Sequence, residues 1–170
     1  MKQINITASN KSDIFKNVEL ILNETGLIPN GKDETRPWGG YFTFDESAAD
    51  HFIETFFVES GIIKEDLPAY SLSPKILLVE PNSRLSWQYH FRRAEIWRCV
   101  GGHVGVVRSD NDEEFECQYL SIGEIIQLGQ GERHRLVGLE HWGVVAEIWM
   151  HTDINHPSDE YDIVILQYEL

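Results

Sequence analysis

Gln88, His90 and Glu95 fall within eight residues of "LSWQYHFRRAEIW", and His134 follows a glycine-rich stretch in "GEIIQLGQGERHRL". Side chains alternate along a strand, so Gln88 and His90 share a face, and a close turn after them brings Glu95 back on the next strand. His134 can reach the same point from a third strand. Two imidazoles, one carboxylate and one amide oxygen suit a borderline divalent cation, with zinc the leading expectation and Mn, Co, Ni or Fe compatible. The competing reading of the same four residues is a metal-free polar interior satisfied by hydrogen bonds.

Around this group lie residues that could move protons or hold an anion. Glu147 in "VVAEIW" shares a strand face with Val145 and Trp149, so it either enters a cavity as a proton acceptor or points outward. Glu132 is the second candidate for that role. Arg93, Arg133 and Arg135 could clamp a phosphate or carboxylate, or else pair with acidic groups on the surface of the chain. Among the five tryptophans the ordinary role is core, and Trp149 is the one considered for a cavity wall. His51, His103, His141, His151 and His156 lack ligand partners at useful spacing and read as surface or structural. Cys99, alternating with Glu95 and Trp97, reads as a small inward hydrophobe with no base beside it.

The elements that must position these groups are mostly strands. From Leu72 onward, short β-rich pieces are separated by Gly, Pro, Asn and Asp, which predicts an all-β sandwich or small barrel. "SDNDEE", residues 109 to 114, reads as an exposed hairpin tip. Upstream, residues 12 to 25 carry helical spacing with Ser12 or Asp13 as cap and Gly26 as stop. "RPWGGYFTF" reads as a turn into a strand, and residues 46 to 59 as a second helix, placed where it could lid the barrel mouth. The expected organisation is therefore an N-terminal helical extension with the RPWG element over residues 1–70, packed on a barrel over 71–170.

The chain has 170 residues, enough for one domain with a full core, and a formal net charge of -14, which opposes nucleic-acid binding. Two cysteines are too few for a disulfide framework, the N-terminus does not resemble a signal peptide, and no run is long enough to span a bilayer. A cytoplasmic protein with no membrane partner is expected. An apolar first helix and an open sheet edge suggest a homodimer.

The motif spacing resembles the cupin family. Gln88-x-His90, Glu95 and Gly102 follow its first motif, with Asn82 in place of the leading glycine; Gly123, Gly131 and His134 follow its second, where Gly129 and Gly138 replace a proline and an asparagine. Within cupins the chain is most similar to the type II phosphomannose isomerase domain, through "RPWGGY", "LSWQYHFRRAEIW", "GERHRL" and "VVAEIW". Gln-x-His is typical of that group. The resemblance implies a cupin jelly roll with a divalent metal on Gln88, His90, Glu95 and His134. It also implies aldose–ketose isomerisation of a sugar or sugar phosphate, such as mannose-6-phosphate to fructose-6-phosphate. Glu147 or Glu132 would move the proton, and Arg93 and Arg133 would hold the anionic end of the substrate. One departure bears on the phosphate: the C-terminal "SDEYDIVILQYEL" carries no arginine where the family has one. The alternatives are a non-catalytic carbohydrate-binding or sensor cupin and a non-haem iron dioxygenase.

Overall fold

The short β-branched and aromatic segments form strands because each can bury at least one face. The computed structural model describes residues 1–62, 64–67 and 71–169. Among them the strands are β1 (Gly31–Arg36), β2 (Gly39–Thr43), β3 (Lys75–Val79), β4 (Trp87–Tyr89), β5 (Arg93–Gly101), β6 (Val104–Ser109), β7 (Gln118–Leu120), β8 (Ile125–Leu128), β9 (Arg133–Gly138), β10 (Gly143–His151) and β11 (Val164–Gln167). They build two antiparallel sheets, ordered β1-β2-β3-β10-β5-β8 and β11-β4-β9-β6-β7. The 109–114 segment sits in the β6–β7 connection, as expected.

Two helices precede the barrel. Helix α1 (Lys11–Glu24) is capped by Asn10, whose side-chain oxygen accepts from the Asp13 N–H at 2.9 Å, so the cap lies before the expected Ser12 or Asp13. Gly26 ends the helix with φ +84°, and the Leu27 N–H reaches back to the Leu22 carbonyl. The second helical stretch is shorter than expected: a 3-10 turn, Glu46–Ala48, leads into α2 (Ala49–Phe56).

The hairpin that carries "RPWGG" belongs to the barrel's own sheet, because β2 lies between β1 and β3. A side chain at Gly39 would meet the Leu78 carbonyl oxygen at 2.0 Å, and one at Gly40 the Asp33 carbonyl oxygen at 2.0 Å. The glycine pair thus lets β2 lie flush between its neighbours. β1, "GKDETR", was not anticipated, since it is polar and largely solvent-facing.

The first sheet is buried on both faces. Ile76, Leu78, Ile96, Ala146 and Ile148 point outward beneath Phe15, Val18 and Leu22 of α1 and Phe52 and Phe56 of α2. Leu77, Val79, Cys99 and Val145 point inward and meet Val104, Val106 and Leu136 of the second sheet. Each fully buried side chain of this size contributes about 1.5–3 kcal/mol, so α1 and α2 are integral to the fold. The apolar stripe of α1 is used up in this way, which removes one of the two grounds for expecting a homodimer; the edge strands of the sheets remain the other. No helix among the described residues is long and apolar enough to cross a membrane.

Candidate metal centre and its cavity

The geometry of the site follows from register. Gln88 on β4 lies opposite His134 on β9, and Glu95 on β5 lies opposite Trp149 on β10. Trp97 and Glu147 form the next inward pair along the same two strands. Facing sheets therefore deliver His90, Glu95 and His134 to one buried point, where a ligand atom from each lies within 4.8 Å of the others. This buried His–Glu–His group can hold a metal ion.

Hydrogen bonding sets both imidazoles in the tautomer a metal needs. His90 Nδ1 donates to the Asp162 carbonyl at 2.7 Å and His134 Nδ1 to the Glu132 carbonyl at 2.9 Å, so each Nε2 keeps its lone pair toward Glu95. Glu95 Oε2 and His134 Nε2, 3.3 Å apart, are buried atoms without a hydrogen-bond partner. A cation would satisfy both, so the residues fit one. Burial pushes the Glu95 carboxyl up, but His134 and His90 outweigh it and hold the group well below its usual range. Burial also pulls the His134 imidazole down, and the Glu95 carboxylate more than offsets this and raises it.

Gln88 lines the cavity above this point, its side-chain oxygen accepting from Ser86 Oγ at 2.6 Å. Glu147 lines it too, fully within the barrel. Its two oxygens accept from the indole N–H groups of Trp97 at 2.7 Å and Trp149 at 3.3 Å. Burial, then the charge of Glu95, push its carboxyl up to about 7, against a partial opposing pull from Lys75 and Arg93. Of the two orientations open in the sequence, the inward one is observed. Trp149, considered for a cavity wall, is not part of the lining; it is buried behind Glu147, its ring flanked by the Arg93 guanidinium at 3.7 Å and the Lys75 ammonium at 4.3 Å.

The other candidates fall elsewhere. Glu132 does not line the cavity; it receives Arg108 at 2.8 and 2.9 Å and the Gly129 N–H at 2.9 Å, a loop-closing role. Arg133 is also outside the lining, bound to Asp112 at 2.8 Å and stacked 3.8 Å over Tyr89. Arg93 does line it, yet its donors go to Glu95 Oε1 at 2.9 Å, Ser158 Oγ at 2.9 Å, the Asp159 carbonyl at 3.0 Å and His90 Nε2 at 3.2 Å. It braces the His–Glu–His cluster, where a substrate clamp was expected. Arg135 is buried against Glu114, Gln167 and the Leu85 carbonyl. Cys99 is buried as expected, which raises its thiol to about 11.

Residues that the sequence did not bring forward complete the site. Asp162 accepts from the Phe91 and Arg92 N–H groups and from Ser158 Oγ, tying the segment after β10 over the His90 loop. Lys75, inward by alternation with Leu77 and Val79, enters the cavity beside Glu147. The alternation in "PKILLV" could have revealed Lys75; Asp162 carried no local signal.

The motif departures have local causes. Asn82 stands at the leading glycine position with φ +59°, a left-handed conformation that Asn tolerates next best. At Gly138 a side chain would meet the Glu80 carbonyl oxygen at 1.8 Å, which excludes the asparagine of the family motif.

The family model described as mannose-6-phosphate isomerase C-terminal matches residues 67–166, more than half of the sequence. The chain belongs to this family. Three solved structures show the same fold at low identity. Tomato vicilin is 16% identical with a TM-score of 0.52, covering 78% of this chain and 32% of its own. Oxalate decarboxylase from Lactobacillus farciminis is 14% identical with a TM-score of 0.53, covering 80% and 33%. The capsular polysaccharide assembling protein CapF from Staphylococcus aureus is 12% identical with a TM-score of 0.53, covering 91% and 41%. The chain thus spans about a third of the first two structures' length, and its architecture is the all-β cupin jelly roll. No curated protein matches the sequence.

Proposed function

We propose that the chain is a metal-dependent isomerase interconverting an aldose and a ketose. The observation that carries this reading is one cavity, about 660 Å³, lined both by Glu95, the carboxylate of the buried His–Glu–His cluster, and by a carboxyl tuned near neutrality, Glu147. The ligands we assign are His90, Glu95 and His134, with the Gln88 amide oxygen as the fourth, and zinc is the ion we favour. A divalent ion bound there supplies Lewis-acid polarisation of the substrate's carbonyl and hydroxyl oxygens.

The chain's own residues do the rest. Glu147, as carboxylate, takes the proton from the carbon beside the carbonyl and returns it to the former carbonyl carbon, while the proton of the adjacent hydroxyl passes to the former carbonyl oxygen, so that the base is unchanged after each turnover. Its two indole donors keep the carboxylate in one orientation, so proton transfer needs no rearrangement of the base. Arg93 fixes Glu95, and the Asp162 carbonyl fixes the His90 ring. Glu132 has no part in this scheme. We place the protein in the cytoplasm, where the free thiols of Cys99 and Cys117 would stay reduced, and expect any homodimer to form through a sheet edge.

One observation favours a second reading, a carbohydrate-binding module without turnover. The Arg93 guanidinium already sits against both His90 Nε2 and Glu95 Oε1 and could neutralise the cluster without a metal. Elemental analysis of protein purified without added metal, alongside His90→Ala, separates the two. Near-stoichiometric metal lost in the variant, with aldose isomerisation lost in step, is the expected result. Protein that takes up no metal after reconstitution would sink the isomerase in favour of the binding module. Iron with oxygen uptake would point to the dioxygenase.

A further inference from the structure

The charged groups around the cavity mouth bear on what can enter it. The lining carries four carboxylates, Glu95, Glu147, Glu160 and Glu169, against three cations, Arg36, Lys75 and Arg93. Each cation is engaged. Lys75 donates to Glu160 at 2.7 Å, Arg36 to Asp33 at 2.9 Å, and Arg93 is bonded as described above. Lys75 and Arg93 flank the same Trp149 ring, each held there by a carboxylate, Glu160 and Glu95, whereas Arg36 pairs with Gly39, at the other end of β3 from Lys75.

The rest of the lining is of a different kind. Trp38 and Tyr41 stack at 6.5 Å between centroids, with the Arg36 guanidinium over the Tyr41 ring; the pair gives the cavity an apolar aromatic wall for the C–H side of a sugar, and Thr43 and Gln88 offer hydroxyl and amide groups to its hydroxyls. We infer that the cavity selects an uncharged sugar, an unphosphorylated aldose or ketose, over the corresponding sugar phosphate. The inference rests on the proposed isomerase reading for the class of molecule that enters, and it assigns that molecule's charge. Apart from the ion proposed for the cluster, a phosphate dianion here would meet, among the described lining residues, only cations already paired with carboxylates, inside a chain of formal net charge -14.

The test is a panel of aldoses (mannose, glucose, lyxose, xylose and ribose), each paired with its terminal phosphate, on the metal-reconstituted full chain. Binding by calorimetry and turnover are read separately. Expected is binding of at least one free sugar, favoured over its phosphate by about tenfold or more, the scale of one unpaired like charge. A phosphate preference in any bound pair, or no binding of any member, overturns the inference. Free sugar bound without turnover supports it while defeating the isomerase reading. Glu160→Gln, which releases Lys75, should narrow the preference severalfold; an unchanged ratio counts against the charge argument.

Discussion

The two faces of the first sheet use the same strands for opposite ends. Outward positions Ile76, Leu78, Ile96, Ala146 and Ile148 are apolar and sealed by two helices; the charged exception, Arg98, donates to the Phe56 and Val58 carbonyls at the end of α2. Inward positions one residue away are Lys75, Glu95, Trp97, Glu147 and Trp149 at one end, passing to Leu77, Cys99 and Val145 at the other. A period of two keeps these populations apart with no change in backbone. The outer face, with its helices, supplies the apolar burial that lets the inner face keep carboxylates and imidazoles in a buried place where they are costly unless paired.

Substitutions on the two faces should therefore fail differently. Inside, His134→Ala should remove the metal and lower turnover by roughly 10³-fold or more, the scale of a lost Lewis acid, with the fold kept by circular dichroism. Glu147→Gln should cost about 10²–10⁴-fold in turnover while metal content is unchanged. Because the carboxylate is the active form, wild-type activity should fall as pH drops through the Glu147 pKa, about 7 in the bare cavity and lower with a cation on Glu95. The sign for stability is the reverse. The fold raises this pKa from 4.5, so the protonated group's contribution is full below 4.5 and lost as pH rises through about 7, a loss that denaturant titration of Glu147→Gln should lack.

Outside, Phe15→Ala should cost about 3–5 kcal/mol of stability, read by urea unfolding, with metal stoichiometry intact in the folded fraction. Loss of metal without loss of stability would break the division between the faces. Asp162→Ala, which loosens the strap over His90, should weaken metal binding about 10–100-fold in a chelator competition. Smallest of all, Glu132→Gln should leave turnover near wild type and cost no more than about 1 kcal/mol, since it breaks only a partly exposed pair with Arg108.

Much of this was legible in the chain. Alternation and turn residues announced β3 to β10, which bury apolar side chains, while β11 showed only as an apolar run, since it lies largely exposed; the His-x4-Glu spacing announced the cluster. The hairpin strand β1 was hidden because an edge strand of "GKDETR" has no apolar face to betray it. The roles of Arg93 and Arg133 could not be read from residue type, because an arginine's partner is decided by tertiary neighbours: Ser158 for one and Asp112 for the other. Glu132 looked like a base because it lies two residues before His134, a spacing that shares a face along a strand; it falls instead in the turn before β9, where its side chain accepts from Arg108 and the Gly129 N–H.

The carbonyl that sets the His90 ring lies 72 residues further along the chain. A nascent polypeptide that has just completed β9 thus already carries Gln88, His90, Glu95 and His134 but lacks the group that aims one of them. At synthesis rates of about 5–20 residues per second the ligands exist for seconds before their orienting partner does. Metal acquisition during translation would meet a loose chelate, and the selective site exists only once β10 and the strap behind it have closed.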